Sequence, residues 1–254
     1  MLFDHFPNLT NEEAENIAIK YPILKRLWLE FECRTKENDA MNDAIFNHFY
    51  KREFDAWLMQ FNNRLGAIKV TYLLIRHYYD MKFPVDDCVN IPGQETQSLE
   101  FCRNTTDQYY DIKWFFNYFT EMAFYRIFSV WDSVLHLINI YYHFDVKPGP
   151  HFEKMIHSKL ESKNKALIQY LKGITENDTY IKAKILRNNI AHNFTPSLFS
   201  HWIEREKTEK ARIIRFSYKD TAPKKFMDNI DGLLVLLADS LQDIKEYLIK
   251  TEPF

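Results

Sequence analysis

The amino-acid sequence predicts an all-α protein, and three observations support that class. The chain has 254 residues, of which 46% are hydrophobic and 16% aromatic, so it can fill a sizeable core. It contains only 5 glycines and 9 prolines, which are few for the many turns of a β-sandwich. Apolar residues also recur at helical spacing through several long segments. We therefore expect a bundle of long helices.

Charge and cysteine content narrow the functional classes. The formal net charge is −2, so no global basic field attracts nucleic acid, and any RNA binding must be local. The cysteines are odd in number and widely spaced, without a Cys-x-x-Cys pair or histidines at zinc-ligand spacing: Cys33, Cys88 and Cys102. We expect reduced structural thiols, no bound metal and no cofactor.

The sequence also bears on localisation. The first residues lack a positive region followed by an apolar core, so we expect a cytoplasmic protein. The most apolar stretch, residues 127–144, contains Asp132, His136 and His143, which make it a poor membrane span. It is better interpreted as a core helix, and we expect no membrane partner.

Residues 1–83 are expected to form an N-terminal helical layer with no assigned chemistry. Thr10 followed by Glu13 fits a capping box, which places a helix start at Asn11. Pro22 suits the first position of a second helix running to about Lys36. An apolar stripe over residues 39–64, continued over residues 67–83, predicts further helix.

A change of composition at residues 84–104 predicts a connecting loop and a domain boundary. This stretch is rich in loop residues: Asp86, Asp87, Pro92 and Gly93. It can be a lid or a connection between two halves of one bundle, and the sequence is compatible with both.

Residues 105–144 contain no proline or glycine, which predicts one very long helix or two joined by a kink. Polar side chains recur along the second part at steps of four and three: Tyr125, Ser129, Asp132, His136, Asn139 and His143. This stripe is either the solvent edge of a core helix or part of a functional site. His136 and His143 lack a nearby carboxylate set for a metal.

Residues 147–150 end that helix, and residues 151–172 predict the next one, closed by Gly173. Residues 147–187 contain eight lysines and one arginine but only four acidic residues, which gives this stretch a net charge of +5. The excess indicates either phosphate attraction or an ordinary lysine-rich solvent face, and the two interpretations carry equal weight.

The last third predicts a short extended region and one final helix. Residues 211–218 are compatible with a strand, which can pair with residues 201–205 as a small β-hairpin. Pro223 suits the start of a helix with a sustained apolar face that closes the bundle or meets another subunit.

Three polar residues cluster near the end of a helix predicted over residues 180–194. Asn188 and His192 lie four apart and share one face, and Arg187 is adjacent on the helix. Pro196 cannot continue the helix, so we expect it to end at residue 193 or 194. From spacing alone, Arg187 and His192 are most simply helix caps that neutralise free carbonyls.

An arginine followed directly by a polar residue and then, after three more, by a histidine resembles the signature of the HEPN superfamily of helical-bundle proteins. Arg187, Asn188 and His192 match that signature one for one. The resemblance implies an up-and-down HEPN-like bundle over residues 105–250. It further implies a metal-independent endoribonuclease site where two subunits of a homodimer pack together.

The resemblance extends to the stripe on the preceding long helix. The run Phe-Ser-Val-Trp-Asp resembles the polar position that HEPN proteins place opposite their Arg and His, which implies that Ser129 and Asp132 support the site. A buried carboxylate needs a partner, and Arg187 can provide one.

The implied chemistry is transesterification of RNA. His192 would act as general base or acid, Arg187 would hold the scissile phosphate, and Asn188 and Asp132 would orient these groups. Family analogy suggests a toxin or defence context. Two alternatives stay open: an inactive HEPN-like bundle that binds nucleotide or RNA or scaffolds a partner, and a helical interaction protein in which Arg187 and His192 are caps.

Overall fold

The computed structural model describes residues 8–33, 41–81, 88–92, 98–102, 107–192, 201–207, 212–218 and 223–250. Over these residues the helices are α1 (Asn11–Lys20), α2 (Ile23–Arg26), α3 (Met41–Asp80), α4 (Asp107–Tyr141), α5 (Phe152–Lys163), α6 (Lys165–Glu176), α7 (Asp178–His192) and α8 (Pro223–Lys250). The strands are β1 (Cys88–Pro92), β2 (Ser98–Cys102), β3 (His201–Lys207) and β4 (Arg212–Tyr218). The all-α class is confirmed, with two short hairpins added to the helices. Among the described helices, none combines the length and the hydropathy that a membrane span needs.

Several predicted elements form as expected. The capping box at Thr10 starts α1, because Glu13 Oε2 accepts from Thr10 N at 2.8 Å and Thr10 Oγ1 accepts from Glu13 N at 3.3 Å. The long segments form single helices of 40 residues in α3 and 35 residues in α4, so the kinked alternative for α4 is wrong. Pro223 opens α8 as predicted.

The sequence predicted one of the two hairpins but not the other. β3 and β4 pair antiparallel from His201↔Tyr218 to Lys207↔Arg212, where the hairpin was expected. β1 and β2 also pair antiparallel, although loop structure was predicted there. Their apolar residues alternate and pair in register, as in Val89↔Phe101 and Ile91↔Leu99. The Asp, Pro and Gly residues around the two strands indicated a loop, so the alternation of apolar residues was not recognised as strand structure.

The predicted second helix is wrong over residues 27–33, and its last residues, 34–36, lie outside the described part of the chain. Residues 27–33, which we call the arm, have no helical structure, and every second residue is buried: Leu27, Leu29, Phe31 and Cys33. Asn62 of α3 holds the arm by accepting from Leu29 N at 3.0 Å and donating to Leu29 O at 2.8 Å. The side-chain amide thus takes the place of a neighbouring strand.

The helix predicted over residues 151–172 is broken into α5 and α6 at Asn164, and Gly173 lies inside α6 instead of closing a helix. Asn164 is buried and leaves helical geometry with φ −146° and ψ 80°. Its Oδ1 accepts from Leu167 N at 3.0 Å, and its Nδ2 donates to Tyr142 OH at 2.9 Å. These bonds compensate the break in the helix.

The described helices are distributed over two compact units. Unit 1 comprises Met1–Lys20, Thr71–Ala123 and Ala183–Ile230, and its core contains Tyr78 stacked on Phe115 with ring centroids 5.4 Å apart. Unit 2 comprises Tyr21–Val70, Phe124–Lys182 and Asp231–Phe254.

The core of unit 2 contains a cluster of aromatic rings. Phe31 and Phe54 meet edge to face with centroids 5.1 Å apart, and Tyr141 OH donates to Leu248 O at 2.8 Å. The predicted division into residues 1–83, 84–104 and 105–250 stays a prediction.

Candidate active site

The three motif residues lie on α7, which is anchored by a narrow buried stripe. Asn177 caps the helix, since its Oδ1 accepts from Thr179 N at 2.9 Å. The buried residues of α7 are spaced three and seven apart: Tyr180, Ala183 and Ile190. Arg187 falls between Ala183 and Ile190 on the same stripe and is half-buried. The helix therefore places a cation on its inward side.

The opposite stripe of α7 faces solvent. Ile181 is 41% exposed and Ile185 is 56% exposed, although both had helped to predict the helix as apolar positions. Asn188 and His192 continue that spacing, with Asn188 half-buried and His192 exposed. The helix was thus predicted correctly, but its buried side was not. The exposed stripe combines two isoleucines with two motif residues.

Arg187 and Asn188 contact each other directly. Arg187 Nη1 donates to Asn188 Oδ1 at 3.1 Å, which holds the guanidinium beside the amide. His192 is the last described residue of α7, so the helix end predicted at residue 193 or 194 lies outside the described residues. A cation in this turn is favoured by the carbonyls at the helix C-terminus.

The two supporting residues lie on α4 in unit 2, whereas Arg187, Asn188 and His192 lie in unit 1. Ser129 accepts from Arg64 Nη1 through both its side-chain hydroxyl and its carbonyl oxygen. Asp132 is exposed, as expected if this stripe is the solvent edge of a core helix. The desolvation argument for pairing it with Arg187 does not apply, and its supporting role stays a prediction.

Other members of the polar stripe on α4 have local structural roles. Asn139 bonds both backbone groups of Val146 at 3.1 Å and so closes the turn after α4. His143 has φ 52° in that turn, and its ring meets Tyr50 at 4.1 Å between centroids. The contacts of Asn139 and His143 described here are made within the protein and involve no bound ligand.

His136 lies between two aromatic rings of unit 2. Its ring stacks on Trp57 at 4.7 Å and on Phe152 at 4.4 Å between centroids. Burial lowers the pKa of His136, and the positive charge of Arg64 lowers it further, while Asp132 opposes this. The neutral imidazole is therefore favoured in this stack. In the described part of the chain, no group of three or more His, Cys, Asp or Glu residues could hold a metal.

A family model described as HEPN_Cthe2314-like HEPN matches residues 57–248, about three quarters of the chain. The chain belongs to the HEPN family. The matched range contains all five predicted site residues and begins inside α3, so it extends further towards the N-terminus than the segment that carried the resemblance. No curated protein and no solved structure matches the chain. α1, α2 and the arm precede the matched range of this HEPN protein.

Proposed function

We propose that this HEPN protein is a metal-independent endoribonuclease in which Arg187, Asn188 and His192 are the catalytic residues. The observation that carries the proposal is the guanidinium of Arg187, held by Asn188, little more than one turn before an exposed histidine on the same helix. The proposal assigns the anion-binding role to Arg187 and the proton-transfer role to His192, and requires both to act on one phosphodiester.

Each residue has a distinct role in the proposed reaction. The ribose 2′-oxygen attacks phosphorus and loses its proton to a base, while the bond from phosphorus to the 5′-oxygen breaks and that oxygen takes a proton. His192 exchanges these protons, because imidazole can accept and donate near neutral pH. Arg187 binds the phosphate oxygens through its planar donors and stabilises their charge, and Asn188 orients the guanidinium.

The exposed stripe of α7 supports a homodimer with the site at its interface. Ile185 is more than half exposed on the same face as Asn188 and His192. An exposed apolar side chain beside a polar site is suited to contact with a second copy, and two-fold dimers share one patch. We expect wild-type protein to sediment as a dimer and Ile185→Asp to shift it towards monomer. A monomeric wild type would contradict this part of the proposal.

RNA is the proposed partner, in the cytoplasm and, by family analogy, in a toxin or defence system. The lysines of residues 147–187 are almost all exposed, which supports phosphate attraction by this stretch. Ser129 and Asp132 are proposed to support the site. In a double-mutant cycle, Asp132→Asn should lower cleavage in wild type and have little further effect in Arg187→Ala.

The decisive assay follows cleavage of single-stranded RNA by purified full-length protein in the presence of a chelator. We expect His192→Ala to slow cleavage by about 100-fold or more, and Arg187→Lys to slow it substantially because lysine lacks the planar fork. Lys182→Arg, an exposed change on the same helix that keeps the positive charge, is the control and should cleave normally. RNA with 2′-deoxy sugars should resist cleavage.

The same variants separate the proposal from its alternatives. Unchanged cleavage in His192→Ala would refute the mechanism. RNA binding without turnover, lost in Arg187→Ala, would instead indicate an inactive binding protein. A double Arg187→Ala, His192→Ala variant that loses thermal stability and nothing else would identify both residues as helix caps.

A further inference from the structure

A cleft in unit 2 is lined by none of the motif residues of α7. It has a volume of about 320 Å³ and is lined by residues 25, 26 and 28–30, from the end of α2 into the arm, and by residues of α8. This volume is at the lower end of the range for small-molecule sites. Residues 25–30 precede the range that the family model matches, so the cleft is built partly from sequence outside it.

The wall of the cleft carries an exposed aromatic ring. Trp28 is 55% exposed, which is unusual for so large an apolar side chain. Lys69 Nζ lies 5.9 Å from the centroid of its ring, close enough for a cation–π contact that holds the indole in place. Burial lowers the pKa of Lys69, which fits an ammonium partly withdrawn from water against this ring.

The charges of the cleft favour an anion. Lys25 and Lys245 line it from opposite elements, against one carboxylate, Glu30. Arg26 also lines it but is paired with Asp239, so it contributes little net charge. Two lysines against one glutamate leave a positive local balance, with the amide of Gln242 able to donate and accept hydrogen bonds.

We propose that this cleft is a nucleotide-binding subsite, in which a base stacks on Trp28 and its phosphate pairs with Lys25 and Lys245. An exposed aromatic ring beside lysines is the combination that binds nucleotides without reading their sequence, because every base has a stacking face and every phosphate a negative charge. The nucleotide can be free or part of a single strand. The subsite does not depend on Arg187 or His192.

Titrations with two probes test the subsite in the full-length protein. The probes are AMP and a short 2′-O-methyl oligoadenylate, which lacks the attacking hydroxyl and so stays intact. We expect Trp28→Ala to bind at least about fivefold more weakly, since stacking on one aromatic ring contributes roughly 1–3 kcal/mol per base. Lys245→Gln should weaken binding at low salt and reduce its salt dependence.

The matched control is Lys250→Gln, five residues further along α8 and 73% exposed at its side chain. It should bind both probes as wild type does. Equal affinities of wild type for the two probes would support a free mononucleotide, and tighter binding of the oligoadenylate would support a strand. If neither probe binds wild type, or if Trp28→Ala and Lys245→Gln bind as Lys250→Gln does, the subsite is refuted. RNA cleavage that needs His192, with probe binding unchanged in Trp28→Ala, would reject the subsite and leave the proposed nuclease standing.

Discussion

Replacing Asn62 by alanine should destabilise unit 2 through the loss of two hydrogen bonds to one buried residue. Asn62 is 8% exposed and Leu29 is 3% exposed, so water cannot readily replace the side-chain amide. The amide accepts from Leu29 N and donates to Leu29 O, at 3.0 and 2.8 Å. Alanine leaves both backbone groups without these partners.

The size of the effect follows from that geometry. A buried backbone group that loses its partner costs about 1–3 kcal/mol, and the two groups of Leu29 are affected together. Allowing for relaxation of the arm, we expect the free energy of unfolding to fall by about 2–4 kcal/mol. For a chain of this size, this corresponds to a melting temperature lower by roughly 5–15 °C.

Urea denaturation followed by circular dichroism measures this difference. The matched control is Asn63→Ala, the next residue of α3, which is exposed and should change the free energy of unfolding by less than about 0.5 kcal/mol. If Asn62→Ala is as stable as Asn63→Ala, the side-chain amide does not hold the arm and the reasoning fails.

Three further predictions concern one buried and two half-buried polar groups. Asn164→Ala should lower the free energy of unfolding by about 2 kcal/mol, because it removes the cap of α6, as urea denaturation will measure. Tyr170→Phe should cost about 2 kcal/mol by the same method, because the hydroxyl donates to Asp243 at 2.6 Å. Because the folded state holds the pKa of His136 below its ordinary 6.5, the unfolded chain takes up a proton first as the pH falls. The stability that the neutral imidazole contributes is therefore complete above about pH 7 and is lost as the pH falls below that value. His136→Phe keeps the ring stack but cannot take up a proton, so it should flatten the decline in melting temperature between about pH 7.5 and pH 5.5.

The elements that sequence analysis predicted well depend on interactions between near neighbours. The capping box at Thr10 involves residues three apart, and the absence of proline and glycine from α4 acts at every turn. The arm was mispredicted as helix because Pro22 is typical of a helix start. The alternating burial of the arm depends instead on Asn62, which is 33 residues away from its partner Leu29. The break at Asn164 likewise depends on Tyr142 and Tyr247, which are distant in the chain.

The same distinction between local and long-range interactions applies to the candidate site. Local spacing was sufficient to place Arg187, Asn188 and His192 on one helix, because helical geometry relates residues up to five apart whatever surrounds them. It could not decide which side of α7 is buried, since apolar residues lie on both sides, nor whether the stripe with Asp132 is a solvent edge or part of a site. No single segment of the sequence indicated the cleft at Trp28.

The helical class, the position of the motif on its helix and the HEPN family could be derived from the amino-acid sequence alone, because each depends on residue types at short spacing. Packing of distant segments leaves Ile185 and His192 exposed and Asn188 half-buried, and it draws Arg187 inward. It also brought Trp28, Lys25 and Lys245 to one cleft. Burial is a property of the packed chain, set by which distant segments cover a residue, and no local pattern contains it.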